Sequence, residues 1–280
     1  MHMNTHLLLI DPQNDFCDLP EDWLPRSPVT AEAIRPALPV AGAHADLQRA
    51  AALVQRLGAQ LDAVTVTLDS HHRIDIAHPG FWIEAATGRA PGPFTPITAA
   101  QVRAGAYLPR DATALPRTLA YLDALEATGR YTLMVWPVHC QMGTWGHAVH
   151  AGLQAALDGW ADAQGRSVSV VTKGENPWTE HYSALQAEVP DAADERTELN
   201  AALLAELDRF DRVLIAGEAG SHCVRATVEH LAAHLPSKQL RKLVLLTDCI
   251  SPVTGFEAQQ ADFLAAMQVR GLQLLRSTDL

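Results

Sequence analysis

The chain has 280 residues, of which 48% are hydrophobic, and this length allows one large hydrophobic core, so we expect a single domain over residues 1–280. It carries 21 basic and 32 acidic side chains, a formal charge of -11, which leaves no basic surface for a nucleic-acid partner. The longest apolar run near the start, LLLI at 7–10, is too short for a signal peptide or a membrane span, so we expect a cytoplasmic protein with no membrane partner.

Short aliphatic runs recur along the chain and are typical of strands in a parallel sheet that is covered on both faces. In chain order they occupy residues 6–11, 63–71, 131–139, 167–173, 212–219 and 242–248, with a further candidate at 272–277. Apolar residues at helical spacing lie between them, at 47–57, 119–125, 149–160, 199–207 and 224–235. This alternation predicts a three-layer α/β/α sandwich around a six-stranded, mostly parallel sheet.

The ends of these strands carry polar or nucleophilic side chains. They are Asp11, Asp69 with His71, His139, Lys173, Cys223 and Asp248. In an open α/β sheet the ligand site lies outside the carboxyl ends of the strands, so these side chains are candidates for a shared pocket. Each of them alone could simply mark the place where a strand becomes polar.

Cys223 lies between the apolar run RVLIAG and the helical pattern that follows it. A helix N-terminus lowers the pKa of a thiol, and the small residues before Cys223 allow a tight turn whose N–H groups could form an oxyanion hole. A buried cysteine that packs as a small apolar side chain is the alternative. A phosphatase loop, C-x5-R, is excluded because Glu229 stands where its arginine would be.

The four cysteines argue against two further kinds of site. Cys17, Cys140, Cys223 and Cys249 are widely scattered and form no C-x-x-C pair. The spacing therefore favours neither a disulfide framework nor a cysteine-ligated zinc site.

Several separated motifs resemble those of one known superfamily. They are LLLIDPQNDFC, LDSHH, WPVHCQMGTWG, TKG with a following YSAL, and GEAGSHCV. Together they resemble the isochorismatase-like cysteine hydrolases, and within that superfamily they are most similar to the nicotinamidases. The resemblance spans residues 6–82 and 131–275.

The resemblance implies a catalytic triad of Asp11, Lys173 and Cys223. Asp11 would be the general base, Lys173 would hold the carboxylate and the thiolate in register, and Cys223 would attack an amide carbonyl. It also implies a cis peptide between Glu218 and Ala219. The N–H groups of Ala219 and Cys223 would form the oxyanion hole.

A divalent metal site is the second implied feature. Asp69 and His71 are two residues apart at a strand end, and His139 would join them from the neighbouring strand end. Two histidines and a carboxylate suit an open site for zinc, with iron or manganese as alternatives. In nicotinamidases such an ion binds the pyridine nitrogen. His72 and His78 could be additional ligands, although we expect surface or supporting roles for them.

Phe16 and Trp136 match the residues that sandwich the substrate ring in nicotinamidases. Two segments depart from the family pattern, residues 23–43 and residues 83–130. We expect both to border the site and the second to be a lid or a subunit interface, with a short helix at 99–105.

The sequence therefore predicts a hydrolase of linear amide C–N bonds, a metal-dependent cysteine amidohydrolase that converts nicotinamide to nicotinate and ammonia in NAD salvage. Another small aromatic or carbamoyl amide is the first alternative substrate. A non-catalytic scaffold, and a metallohydrolase in which Cys223 is incidental, are the other hypotheses. We expect a small amide as the bound partner and a homo-oligomer as the assembly.

Overall fold

The computed structural model describes residues 3–280. Its strands are β1 (Thr5–Ile10), β2 (Ala63–Asp69), β3 (Trp82–Glu84), β4 (Thr95–Ile97), β5 (Tyr107–Pro109), β6 (Leu133–Val135), β7 (Ser169–Lys173), β8 (Arg212–Gly217), β9 (Leu243–Leu246) and β10 (Gln273–Leu275). Its α-helices are α1 (Ala43–Leu57), α2 (Ala99–Arg103), α3 (Leu115–Ala127), α4 (Ala151–Gln164), α5 (Ala201–Asp208), α6 (Cys223–His234) and α7 (Glu257–Val269).

Six strands form the central sheet in the order β10-β9-β8-β1-β2-β7. Every neighbouring pair is parallel, which confirms the predicted α/β class and strand number. The candidate at 272–277 supplies β10, the sixth strand.

The prediction that residues 131–139 form a strand of this sheet is wrong. Only β6 is extended there, and it pairs antiparallel with β4, outside the six-stranded sheet. An apolar run indicates a strand but not its partner. Here the segment at 83–130 places β4 close by in the chain, and β6 pairs with it.

Alternate residues of the central strands face opposite helical layers, because successive side chains of a strand point to opposite sides. Leu7 and Leu9 of β1 pack with α1 and α4 in one hydrophobic cluster. Leu8 and Ile10 pack with α5, α6 and α7 in the other. The result is the predicted three-layer arrangement.

All five helical patterns correspond to helices. The short helix expected at 99–105 is α2, which begins after a capping box made by Thr98 and Gln101. The sequence pattern misses α7, because Phe263 and Met267 are its only buried residues and leave no clear apolar stripe.

The segment at 83–130 builds a separate, smaller cluster. Trp82, Ile97, Val102 and Leu122 are buried in it together with residues of β6. Its expected role as a lid or interface stays a prediction. Among residues 3–280 no helix combines the length and apolar character needed to cross a membrane.

Candidate active site

The candidate site lies at the carboxyl ends of four strands that are neighbours in the sheet. Asp11 follows β1, Asp69 ends β2, Lys173 ends β7, and Cys223 follows β8 at the first residue of α6. These strands are neighbours in the order β8-β1-β2-β7, so the four side chains converge. Asp248 follows β9, beyond β8, and its carboxylate instead accepts hydrogen bonds from the backbone and hydroxyl of Ser277.

Lys173 is the centre of this group. Its Nζ lies 2.9 Å from Asp11 Oδ2, 3.0 Å from Asp69 Oδ1 and 3.6 Å from Cys223 Sγ. It also donates a 2.9 Å hydrogen bond to the carbonyl oxygen of His181. All these residues are buried, and Cys223 is 6% exposed. The structure therefore brings Asp11, Lys173 and Cys223 together.

Electrostatics keep the Lys173 ammonium charged. Burial acts to lower the pKa of Lys173, but Asp11 and Asp69 more than offset it and hold that pKa well above its ordinary value. Burial raises the pKa of Asp11, with a further contribution from Asp69, while Lys173 and the Thr67 hydroxyl act in the opposite direction. Asp11 is therefore a better proton acceptor than an exposed aspartate.

The helix N-terminus does not make Cys223 acidic, contrary to the expectation from sequence. Burial raises the pKa of the Cys223 thiol well above its ordinary value, although Lys173 acts to lower it. The resting sulfur is thus a thiol. Asp11 and the sulfur both lie beside Lys173 Nζ, at 2.9 Å and 3.6 Å, which places a carboxylate near the thiol as an acceptor for its proton.

The turn before α6 contains the expected cis peptide, between Glu218 and Ala219. Within residues 3–280, the N–H groups of Ala219 and Cys223 donate no hydrogen bond to another protein group. Gly217 sits directly before this turn at φ 121°, and a Cβ there would lie 1.9 Å from the carbonyl oxygen of Ile10. Only glycine permits this approach of β8 to β1.

Three buried imidazoles, His71, His78 and His139, form a cluster beside Asp69, with one ring nitrogen of each within 4.8 Å of the others. Asp69 Oδ2 lies 3.1 Å from His71 Nε2 and 3.3 Å from His139 Nε2. The structure thus brings together the three predicted ligands. It adds His78, for which a surface or supporting role was expected, whereas the His72 side chain is exposed.

Each imidazole of this cluster has an acceptor at Nδ1. His71 Nδ1 faces Asp75 Oδ2 at 3.1 Å, His78 Nδ1 faces the carbonyl of His72 at 3.1 Å, and His139 Nδ1 faces the carbonyl of Pro137 at 2.8 Å. A proton at each Nδ1 would make Nε2 the nitrogen that a metal ion could take, as in metal-ligating histidines. Nε2 of His71 and of His139 faces Asp69 Oδ2, and Nε2 of His78 lies 3.3 Å from Nδ1 of His139.

His139 reaches the cluster by a route that the sequence did not predict. It lies in the loop after β6, four residues beyond the end of that strand. His71 donates its N–H to the carbonyl of Cys140 at 3.0 Å and accepts from the N–H of Met142 at 3.1 Å. This pairing, and not a strand end of the central sheet, holds the WPVH loop against β2.

A small cavity opens between Cys223 and the imidazole cluster. Its walls include both predicted aromatic residues, Phe16 and Trp136, and also Leu38, Glu180 and Tyr182. Leu38 belongs to the segment at 23–43, which therefore borders the site as expected. The segment at 83–130 supplies no wall residue, although Phe94 packs edge-on against Trp136 with ring centroids 5.8 Å apart.

Sequence reasoning missed Asp75, Glu180 and Tyr182. Asp75 is four residues after His71, and Tyr182 belongs to the YSAL motif, so both lay beside quoted motifs. Glu180 Oε2 is buried and has no hydrogen-bond partner within residues 3–280. Burial raises the pKa of Glu180 to about 7. The neighbours of Glu180 come from distant segments of the chain, so no local sequence pattern indicates that this carboxyl is buried at the site.

His222 is a further wall residue. Its Nδ1 lies 2.9 Å from the Ser221 hydroxyl, which accepts a 3.0 Å hydrogen bond from the N–H of Val253. Burial lowers the pKa of His222 to about 4, so the ring is neutral.

Comparison with solved structures identifies the architecture. A nicotinamidase/pyrazinamidase of Acinetobacter baumanii superposes with a TM-score of 0.62 at 19% identity, over 99% of this chain and 98% of that one. The yeast nicotinamidase bound to the inhibitor nicotinaldehyde gives 0.61 at 18%, over 97% and 99%. An isochorismatase-like hydrolase of Alkaliphilus metalliredigens gives 0.52 at 14%, over 99% and 96%. The chain has the isochorismatase-like fold.

A zinc complex of the Pyrococcus horikoshii pyrazinamidase has the same fold, with a TM-score of 0.56 at 17% identity over 98% of this chain and 99% of that one. No protein-family model and no curated protein sequence matches the chain. The isochorismatase-like fold is thus established from structure, at low sequence identity.

Proposed function

We propose that this protein is a metal-dependent cysteine amidohydrolase that converts nicotinamide, or a close small aromatic amide, to the carboxylic acid and ammonia. The observation that carries the proposal is the position of Lys173 Nζ, 2.9 Å from Asp11 and 3.6 Å from the Cys223 sulfur. The Lys173 ammonium, the Asp11 carboxylate as base and the Cys223 sulfur as nucleophile thus lie together beside a cavity.

In the first half of the reaction, Asp11 takes the thiol proton and the Cys223 sulfur forms a bond to the amide carbonyl carbon. The carbonyl oxygen becomes an oxyanion, for which the free N–H groups of Ala219 and Cys223 are donors. Asp11 then passes its proton to the amide nitrogen. The C–N bond breaks, ammonia leaves and a thioester remains on Cys223.

In the second half, a water molecule attacks the thioester and Asp11 accepts its proton. The C–S bond breaks, the acid leaves and the proton returns to the Cys223 sulfur. The Lys173 charge stabilises each anionic stage, because it stays protonated between Asp11 and the sulfur. The net change is amide plus water to acid plus ammonia.

The residues present fit a divalent ion. Burial acts to lower the pKa of His71, but Asp69 and Asp75 hold it well above its ordinary value, so the local field favours positive charge. Asp69, His71, His78 and His139 would hold the ion, and zinc suits this set of nitrogen and oxygen ligands. When bound, the ion would supply a Lewis acid for a heteroaromatic nitrogen. The zinc-bound pyrazinamidase of the same fold supports this assignment.

The cavity walls favour a flat aromatic substrate. Phe16, Trp136 and Tyr182 present aromatic surface next to the imidazole cluster and Cys223. Nicotinamide carries both a ring nitrogen for a metal ion and a carboxamide for the sulfur. The nicotinaldehyde complex of the yeast nicotinamidase supports the same chemistry.

The test measures ammonia release from nicotinamide, pyrazinamide, benzamide and a carbamoyl amide by zinc-loaded protein. We expect turnover of the heteroaromatic amides, loss of at least about 10³-fold in kcat for Cys223→Ala, and inactivation by iodoacetamide. Cys249→Ala is the matched control, since Cys249 is buried outside the site and its loss leaves turnover intact. Equal activity of Cys223→Ala and wild type would instead indicate a metal-hydroxide mechanism.

A further inference from the structure

Glu218 immediately precedes Ala219 in the turn before α6, yet its side chain does not line the cavity. We propose that Glu218 is a positioning residue, a protonated carboxyl that shares its proton with Asp46 and so holds the turn carrying the Ala219 and Cys223 N–H groups. The inference rests on the proposed function, because those N–H groups matter only if an oxyanion forms.

The Glu218 carboxyl is fully buried, at 0% exposure. Its Oε2 accepts a 3.2 Å hydrogen bond from the N–H of Ser251. Its Oε1 is buried and receives no hydrogen bond from any donor in residues 3–280. Burying one oxygen of an ionised carboxylate without a hydrogen bond would cost free energy, whereas a protonated carboxyl can donate a hydrogen bond from that oxygen.

Asp46, in the first turn of α1, is the acceptor. It is 2% exposed and is joined to Glu218 through Ser251, whose N–H donates to Glu218 Oε2 and whose hydroxyl donates to Asp46 Oδ2. A hydrogen bond between the two carboxyl groups acts to raise the pKa of Glu218. Two carboxyl groups can share a hydrogen bond only when one is protonated. Asp46 already accepts a 2.5 Å hydrogen bond from the Ser251 hydroxyl and pairs with Arg49, so the negative charge belongs on Asp46.

The surrounding charges also favour a protonated Glu218. Asp18 lies on the loop after β1 and accepts from the N–H groups of Gly42 and His44, at the start of α1. Other titratable groups of this region include Asp15 and Cys17, from the segment after β1, and Asp248 and Cys249, from the turn after β9. Among the named groups Arg49 is the one fixed cation. Burial, and then the charge of Asp46, raise the pKa of Glu218 well above its ordinary value.

Backbone hydrogen bonds also hold this turn in place. The N–H of Glu218 donates to the carbonyl of Ile10 at 2.8 Å, and the N–H of Gly220 donates to the carbonyl of Ser251 at 2.8 Å. Because Ser251 also donates to the Glu218 side chain, both chain neighbours of Ala219, Glu218 and Gly220, are hydrogen-bonded to Ser251. Loss of the Glu218 side chain would remove one of the two hydrogen bonds that join Ser251 to this turn, together with the contact to Asp46, and so loosen the Ala219 N–H.

The first experiment compares Glu218→Gln with Glu218→Leu, using nicotinamide and the zinc-loaded full chain. Glutamine keeps a donor for Asp46 and an acceptor for Ser251, so kcat stays within about threefold of wild type. Leucine keeps neither, and we expect kcat to fall by about 10²-fold with KM within about threefold, as for a displaced oxyanion donor. Glu188→Gln, the same change at a buried glutamate whose side chain does not line the cavity, leaves kcat unchanged.

A kcat for Glu218→Gln as low as that of Glu218→Leu would overturn the proposal, since it would mean that the carboxylate charge is required. A wild-type kcat for Glu218→Leu would overturn it as well.

The second experiment needs no turnover. Folding raises the pKa of Glu218 above its ordinary 4.5, so the wild type takes up a proton on folding and loses stability relative to Glu218→Gln as the pH rises above 4.5. We expect the melting temperature of wild type minus that of Glu218→Gln to fall between pH 5 and pH 8. A difference that stays flat or rises would show an ionised Glu218 and overturn the proposal. If wild type turns over no amide, the proposed function fails, and this measurement still decides the protonation of Glu218.

Discussion

Replacing Lys173 with methionine tests the electrostatic centre of the site. The Lys173 ammonium lies 2.9 Å from one Asp11 oxygen and 3.0 Å from one Asp69 oxygen, and all three groups are buried. At an effective dielectric constant of about 20, each contact contributes roughly 6 kcal/mol, against a desolvation cost of several kcal/mol for each ion. The Lys173→Met protein keeps that cost for both carboxylates without the compensating contacts.

We therefore expect Lys173→Met to destabilise the fold by about 3–5 kcal/mol, measured by urea unfolding, and to lower the melting temperature by roughly 6–20 °C. Turnover of nicotinamide should fall by at least about 10³-fold in kcat. Adding Asp11→Asn removes one of the uncompensated charges, so the double variant should regain part of the lost stability and none of the activity.

Lys242→Met is the matched control, since Lys242 forms a single 3.1 Å ion pair with Asp208 and is more exposed. Its cost should be smaller, about 1 kcal/mol. The reasoning is refuted if Lys173→Met unfolds at the same urea concentration as Lys242→Met, or if Asp11→Asn gives no recovery in the double variant.

Three further predictions concern a proposed metal ligand, the turn before α6 and a buried carboxyl group. His78→Ala should lower the zinc bound per chain after dialysis, measured by elemental analysis, if this ring is a ligand. Gly217→Ala should destabilise the protein by about 3 kcal/mol or more, because its Cβ would meet the backbone of Ile10 at 1.9 Å. Glu188 has a pKa raised by burial to about 7 from 4.5, so its contribution to stability is lost as the pH rises through that range, on the order of 3 kcal/mol. Glu188→Gln should therefore flatten the pH dependence of unfolding.

Each of these predictions has a result that contradicts it. Unchanged zinc content in His78→Ala would remove that residue from the ligand set. Gly159→Ala, in α4 with open space around its Cβ, should leave stability equal or higher, and an equal effect at Gly217 would contradict the steric argument. Parallel pH profiles for wild type and Glu188→Gln would show that Glu188 does not titrate as described.

The imidazole cluster shows the limit of prediction from sequence. His71 and His139 stand in recognisable motifs, and sequence reasoning assigned both to the predicted metal site. His78 lies in an irregular loop after β2, and backbone hydrogen bonds to residues 136–142 and to Pro177 hold that loop in place. A loop has no periodicity from which the direction of a side chain can be read.

Asp248 and Lys173 make the same point for the sheet. Both follow an apolar run and both are polar, so the strand pattern alone made them equal candidates, and only the family resemblance singled out Lys173. Strand order separates them, since β7 lies beside β2 while β9 lies beyond β8. Their contacts follow from that order, with Lys173 beside Asp11 and Asp248 beside Ser277.

The sequence by itself determined the α/β class, five of the helices, and the residues Asp11, Lys173 and Cys223 as candidates, because periodicity and motifs are properties of residues close in the chain. Tertiary structure alone decided which strand ends adjoin, where β6 pairs, that His78 faces inward and that burial keeps Cys223 a thiol. Those features depend on neighbours that are distant in the chain, and both desolvation and charge act through space.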